Sequence, residues 1–240
     1  MIKFPSIIAV YAILIVVLSS CGDTSGEPPV LLFSTSASDY LFKGGKGSTW
    51  EYSHTEIAVD TNGVLTRSPE DGMRVRFTLL DTGVTRKDVS HITVMLRESF
   101  INGVLNDVDT LYFTNNSGSV VMHRLPLRSI QSSQVVIADP LVEGSSFKTN
   151  PESSSSAVVY FDDVDVQVQT QAGLFRSVSL VENSVDTLSD GSMRTRNVKT
   201  SIAPWNMFLE QTSIETTKFV SGKSIVETTS ASIVKIDIKN

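Results

Sequence analysis

The stretch Asp163-Val164-Asp165-Val166-Gln167-Val168-Gln169-Thr170-Gln171 decides the fold class. Val164, Val166, Val168 and Thr170 recur at every second position, and the residues between them are acids and amides. Side chains of an extended chain alternate between two faces, so this is a strand with one dry face and one wet face. A helix would scatter the same valines around its circumference.

Outward from that strand the pattern repeats. Toward the N-terminus, Trp50, Tyr52 and His54 share a face, with Asp60-Thr61-Asn62-Gly63 as a turn, and Met73, Val75, Phe77 and Leu79 lie opposite Arg74, Arg76 and Thr78. Ile92, Val94 and Leu96 precede Asn102-Gly103, a two-residue hairpin signal because both residues tolerate positive φ. Leu111 and Phe113 follow, and Asn115 to Gly118 turns the chain into Ser119 to Leu125. The serine-rich segment from Gly144 to Ser156 reads as loop. Beyond it come strands over Val158 to Phe161, Leu174 to Glu182, Arg194 to Ile202, Met207 to Ser213, Glu215 to Val220 and Ser224 to Ile238. About ten to twelve strands in succession, with almost no helical periodicity, predict an all-β domain over residues 39–240. Antiparallel meanders in a curved or half-closed sheet limit the exposed edges such a chain would otherwise carry.

The N-terminus has another character. Met1-Ile2-Lys3 carries one positive charge, and the uncharged run that follows has an almost purely aliphatic centre from Ile7 to Leu18. This is the layout of a secretory signal. The run is shorter than the ~20 residues that span a bilayer as a helix. Leu18-Ser19-Ser20-Cys21-Gly22 resembles the lipobox of bacterial lipoproteins, with small residues before the cysteine. The resemblance implies cleavage after Ser20 and acylation of Cys21, the only cysteine in the chain, by diacylglycerol and palmitate-type chains. Residues 1–20 are then the signal peptide and residues 21–38 an acylated tether rich in Gly, Ser and Pro. Val30-Leu31-Leu32-Phe33 interrupts the tether as an edge strand or a segment lying on the domain or the bilayer. In such lipoproteins an Asp directly after the cysteine implies inner-membrane retention. Gly22 stands there, and the expected location is the cell envelope, at the outer membrane.

The whole chain carries a formal charge of −6, and loss of residues 1–20 removes Lys3 and no acid. An acidic mature chain is a poor fit to nucleic acid. Ser145-Ser146-Phe147-Lys148 matches the Ser-x-x-Lys spacing of penicillin-binding enzymes, but that chemistry needs one helical turn and the match lies in a loop of a β protein. Gly44-Gly45-Lys46-Gly47-Ser48-Thr49 lacks the adjacent Lys-Ser pair of a phosphate loop. His54, His91 and His123 stand alone on separate strands, which argues against zinc. Asp162, Asp163 and Asp165, with Asp107 and Asp109 elsewhere, could offer oxygen ligands to calcium, but the Asp163, Asp165, Gln167, Gln169, Gln171 row is better explained as the wet face of a strand. No catalytic residue, metal or cofactor is expected.

Several short motifs resemble a family of uncharacterised cell-envelope lipoproteins of Bacteroidota-type bacteria. They are Tyr40 followed by Gly47-Ser48-Thr49-Trp50-Glu51-Tyr52, then Pro140 to Phe147, Ala172-Gly173-Leu174-Phe175, and Ala203-Pro204. In the last, Trp205, Asn206 and Met207 stand where the family has a glycine-rich pattern. The resemblance implies a half-barrel similar to the lipoprotein-carrier LolA/LolB type and no established activity. Two functions follow as expectations for a non-enzymatic, membrane-tethered chain. One is a curved sheet whose concave face, with Trp50, Tyr52 and Phe77, binds a lipid or other apolar ligand. The other is an interaction protein that takes a protein or glycan partner at the envelope.

Overall fold

The structure is a computed structural model that describes residues 33–67, 72–86, 89–116, 118–123, 133–151 and 156–239. The signal sequence and Cys21 lie outside the described residues. A short 3₁₀ turn, Ala37–Tyr40, is followed by thirteen strands: β1 (Thr49–Asp60), β2 (Leu65–Arg67), β3 (Met73–Arg86), β4 (Val89–Ile101), β5 (Val104–Asn116), β6 (Ser119–His123), β7 (Ser133–Ala138), β8 (Ser146–Lys148), β9 (Val158–Thr170), β10 (Gly173–Thr187), β11 (Met193–Ala203), β12 (Met207–Lys218) and β13 (Ser224–Asp237). They form one antiparallel sheet in the order β7-β6-β5-β4-β3-β1-β13-β12-β11-β10-β9-β8, with β2 appended to β1. The sheet is two meanders joined by pairing of the first and last long strands, β1 and β13. It curls as an open half-barrel until its edge strands meet. Among the described residues a single backbone hydrogen bond, from Val135 N to Thr149 O at 2.7 Å, ties one edge to the segment that follows the other.

The turn chemistry read from sequence is used as expected at Asn102-Gly103, where φ is +52° and +78°. Only a primed turn matches the twist of the strands it joins. The valine strand is also as expected, with Val164, Val166 and Val168 half-buried and the acids and amides between them exposed. Phe161 and Val164 are three residues apart, and a regular strand would place them on opposite faces. Register shifts in the β9–β10 pairing, at Ser177/Val178 and Ser179/Leu180, put both against the core.

Three readings are corrected. The segment from 144 to 156 is not all loop, because Ser146–Lys148 forms the edge strand β8, pairing with Val158 to Tyr160. Its serines hid a strand whose single apolar residue, Phe147, packs on Phe161 with ring centroids 5.8 Å apart. Met207 to Ser213 and Glu215 to Val220 are one strand, β12. Val158 to Phe161 likewise continues through the bulge into the valine strand as β9.

One end of the half-barrel is stoppered by the 3₁₀ turn and the residues after it. Ala37, Tyr40 and Phe42 are buried in the same core as Trp50, Leu79, Phe113 and Ile233. The plug is fixed by Ala37 N donating to Asp139 Oδ1 at 2.8 Å, Lys43 N to Trp205 O at 3.0 Å and Gly45 N to Lys239 O at 2.7 Å. The opposite end carries the hairpins β4–β5, β10–β11 and β12–β13 and the turn after β1. That end is open.

Candidate functional site

The site begins at the start of β1. Trp50 and Tyr52 point inward from alternate positions, and Trp50 faces Phe77 across the β1–β3 register. Phe42, from the plug, lies among them, with ring centroids 4.8 Å from Trp50, 5.7 Å from Phe77 and 5.9 Å from Phe113. Tyr52 meets Phe77 edge-on at 5.5 Å. Edge-to-face and offset contacts of this kind contribute about 0.5–1.5 kcal/mol per pair beyond area burial.

The polar ends of both large rings are satisfied by the β11–β12 connection and the start of β12. Trp50 Nε1 donates to Asn206 Oδ1 at 3.2 Å, and Tyr52 Oη donates to Phe208 O at 2.9 Å. Burial drives the Tyr52 hydroxyl far above the ordinary phenol range, so it remains a neutral donor. Trp205, in that connection, and Met207, at its end, hold left-handed φ values of +64° and +55°. That geometry is what a glycine pattern would have supplied without strain.

Above the aromatic layer the two halves of the sheet stand apart and leave a cavity of about 640 Å³. Tyr52, Phe77, Leu111, Leu180, Ile202 and Phe208 line its interior. Trp50 is not among its lining residues; it is fully buried in the core. Of the three residues expected to hold a ligand, the structure therefore brings Tyr52 and Phe77 to the cavity and places Trp50 in the core.

Sequence reading missed the charged half of the lining. Following the inward face toward the open end, Leu111 gives way to Asp109 on β5, Leu180 to Glu182 on β10, Val198 to Arg196 on β11 and Met95 to Arg97 on β4. Asp109, Glu182, Arg196 and Arg97 all border the cavity. Arg97 reaches Asp107 at 3.1 Å and Arg196 reaches Glu182 at 3.9 Å. The signal was present for three of them: Asp109, Glu182 and Arg196 each continue an apolar row in phase, two residues further on, whereas Arg97 follows Thr93 and Met95, on the face opposite Ile92, Val94 and Leu96. In sequence it reads as the ordinary end of a buried face, and only the closing of the sheet gathers four such ends around one opening. The cavity is thus amphipathic: its apolar side chains share the inner wall with Glu210 and Gln211 at the depth of Tyr52, and its mouth is charged.

The other residues weighed for chemistry are dispersed. His54 borders the cavity, His91 is exposed beside Ser90, and His123 Nε2 lies 2.9 Å from Thr114 Oγ1. Among the described residues no three His, Cys, Asp or Glu side chains gather in a metal-binding group. Ser145 Oγ donates to Val142 O at 2.6 Å, and Lys148 follows on an extended strand rather than a helical turn away. Gly47 to Thr49 leads into β1, not into a helix. Asp165 is paired with Arg176, which holds its carboxyl below the usual range.

No family model matches the chain, and no curated protein matches it in sequence. Among solved structures, the sheet is similar to that of a Bacteroides fragilis chain assigned as an exported protein with a YmcC-like fold. The TM-score is 0.50 at 9% identity, covering 82% of this chain and 98% of that one. A Parabacteroides distasonis chain assigned as a lipoprotein gives a TM-score of 0.44 at 8% identity, covering 85% of this chain and 100% of that one. The first likeness shows the fold.

Proposed function

We propose that this chain is a lipid-anchored, non-catalytic protein of the cell envelope, held at the outer membrane through acylated Cys21, whose half-barrel carries one amphipathic ligand. The single observation that carries the ligand reading is the cavity of about 640 Å³, walled by apolar side chains with Glu210 and Gln211 among them and ringed by Arg97, Asp109, Glu182 and Arg196. Its volume falls in the ~300–1,000 Å³ of small-molecule sites. A purely apolar ligand would leave the charged mouth unused, whereas a lipid with a polar head matches both halves. The lipobox-like Leu18 to Gly22 and the short motifs around Trp50 support membership in the Bacteroidota-type lipoprotein family resembled above.

A second reading, an envelope scaffold for a protein or glycan partner, draws on the exposed apolar residues at the open end. Val64, Leu65, Val104, Leu105 and Val220 are all at least half exposed on hairpin tips around the mouth. The test is native mass spectrometry of protein released gently from envelopes, beside a Val75→Trp variant that fills the cavity from its half-buried lining. A lipid-sized adduct on the native protein that is absent from the variant supports the ligand reading. Protein recovered free of any adduct, with Val75→Trp fully competent in envelope function, overturns it in favour of the scaffold. Cys21→Ala should leave the membrane fraction; persistent membrane association of that variant would contradict the anchor.

A further inference from the structure

The two ends of the half-barrel differ in more than shape. At the plugged end Trp205 is 41% exposed although it holds a left-handed φ of +64°. A bulky side chain in that conformation is strained, and an exposed one recovers little packing in return. Around it gather Lys43, whose Nζ lies 4.3 Å above the Trp205 ring, then Ile238, whose Cγ2 approaches Gly44, and Lys239, whose carbonyl accepts from Gly45 N. Lys46 is exposed in the same loop. Of the acids nearby, Asp237 is paired with Lys239 at 2.7 Å and Asp165 with Arg176, while Asp39, whose carbonyl accepts from Trp205 N, takes a hydrogen bond from the neutral Ser34 Oγ at 2.7 Å. Neither Lys43 nor Lys46 makes an ion pair among the described residues.

The position of the tether is the second, independent observation. Phe33 and Ser34 are fixed to this same end, Phe33 beneath the Arg176 guanidinium at 4.9 Å and Ser34 O accepting from Tyr40 Oη at 2.8 Å. From Cys21 to Phe33 the chain can reach at most about 40 Å. The 15-residue β10 is about 50 Å long, which at the tilt of barrel strands is about 35–40 Å of height. A tether fixed at the plugged end would have to be drawn out almost fully before the open mouth could be laid on the membrane that holds Cys21.

We propose that the plugged end is a membrane-binding face, with Trp205 and Ile238 at the interface and Lys43 and Lys46 on anionic headgroups, so that the cavity mouth points away from the anchoring bilayer. An exposed tryptophan flanked by lysines is the composition that settles at headgroup level. This inference rests on the acylation of Cys21 proposed above. It adds a direction to the ligand site, which takes or delivers its ligand on the side remote from its own membrane.

The test uses the full mature, acylated protein in vesicles of phosphatidylcholine and phosphatidylglycerol, with or without brominated tails. The chain has two tryptophans, and Trp50 is fully buried, so contact quenching by the bromines reports Trp205. The expected result is strong quenching that disappears in Trp205→Phe and falls about twofold or more when Lys43 and Lys46 are both replaced by serine. Anchored protein whose emission is the same in plain and brominated vesicles overturns the orientation. So does quenching of a fluorophore attached at Val104→Cys on the mouth, where acylation of Cys21 leaves the introduced thiol as the only free one. Failure to join the vesicles, with no acyl mass on Cys21, instead overturns the lipoprotein reading and takes this inference with it.

Discussion

Trp50 joins the plug, the first strand and the β11–β12 connection through one side chain, by ring contact with Phe42 and by its bond to Asn206. Trp50→Ala should therefore destabilise the protein by about 3–5 kcal/mol, read as a lower urea midpoint with little change in slope. Tyr52→Phe removes only the donor to Phe208 O and should lose about 1–3 kcal/mol. His123 gives the fold a pH dependence with a definite sign. Burial lowers its pKa from the ordinary 6.5. Below the unfolded pKa the unfolded chain binds a proton that the folded chain resists, so stability falls as pH drops from about 6.5 toward the folded value. Replacing His123 with Gln should flatten the pH dependence of the thermal midpoint across that window.

At the scale of elements, the loop before β1 is built around Ser48, which is fully buried. Its hydroxyl donates to Gly45 O at 2.7 Å and accepts from Lys239 N at 2.9 Å, tying the loop to the end of β13. A Cβ on Gly44 would stand 2.4 Å from that oxygen. Gly44→Ala should thus break the tie and cost about 1–3 kcal/mol, with faster amide exchange at Gly45 and Lys239 as the local readout. A glycine is required here by close approach rather than by turn geometry. At Asn102-Gly103 the requirement is the backbone angle itself, which is why that hairpin was visible from composition alone.

For the whole molecule, the weakest seam is where the two edges meet. Val135→Pro removes the donor of the 2.7 Å bond to Thr149 O while leaving the core side chains in place. We expect faster hydrogen exchange confined to β7 and β8, with the β1–β13 pairing unaffected. If the ligand must enter from the mouth, this variant, although Val135 itself lines the cavity, should exchange ligand with lipid at the native rate. If the seam is the portal, its exchange rate with lipid should rise.

The alternation of Val164 to Thr170, the hairpin at Asn102-Gly103 and the aromatic pair Trp50 and Tyr52 made the all-β class, the turn and the inward face legible in the sequence, because each is a local property of period or backbone angle. The strand at Ser146–Lys148 was not legible, since three residues with one apolar side chain become a strand only when β9 offers a partner edge. The same holds for function. Sequence alone could place Tyr52 and Phe77 on a buried face. Only the tertiary structure decided that Trp50 is core and that Arg97, Asp109, Glu182 and Arg196, far apart in the chain, share one mouth. Strand period is fixed by neighbours in sequence, whereas a cavity is fixed by how far the sheet curls before its edges meet.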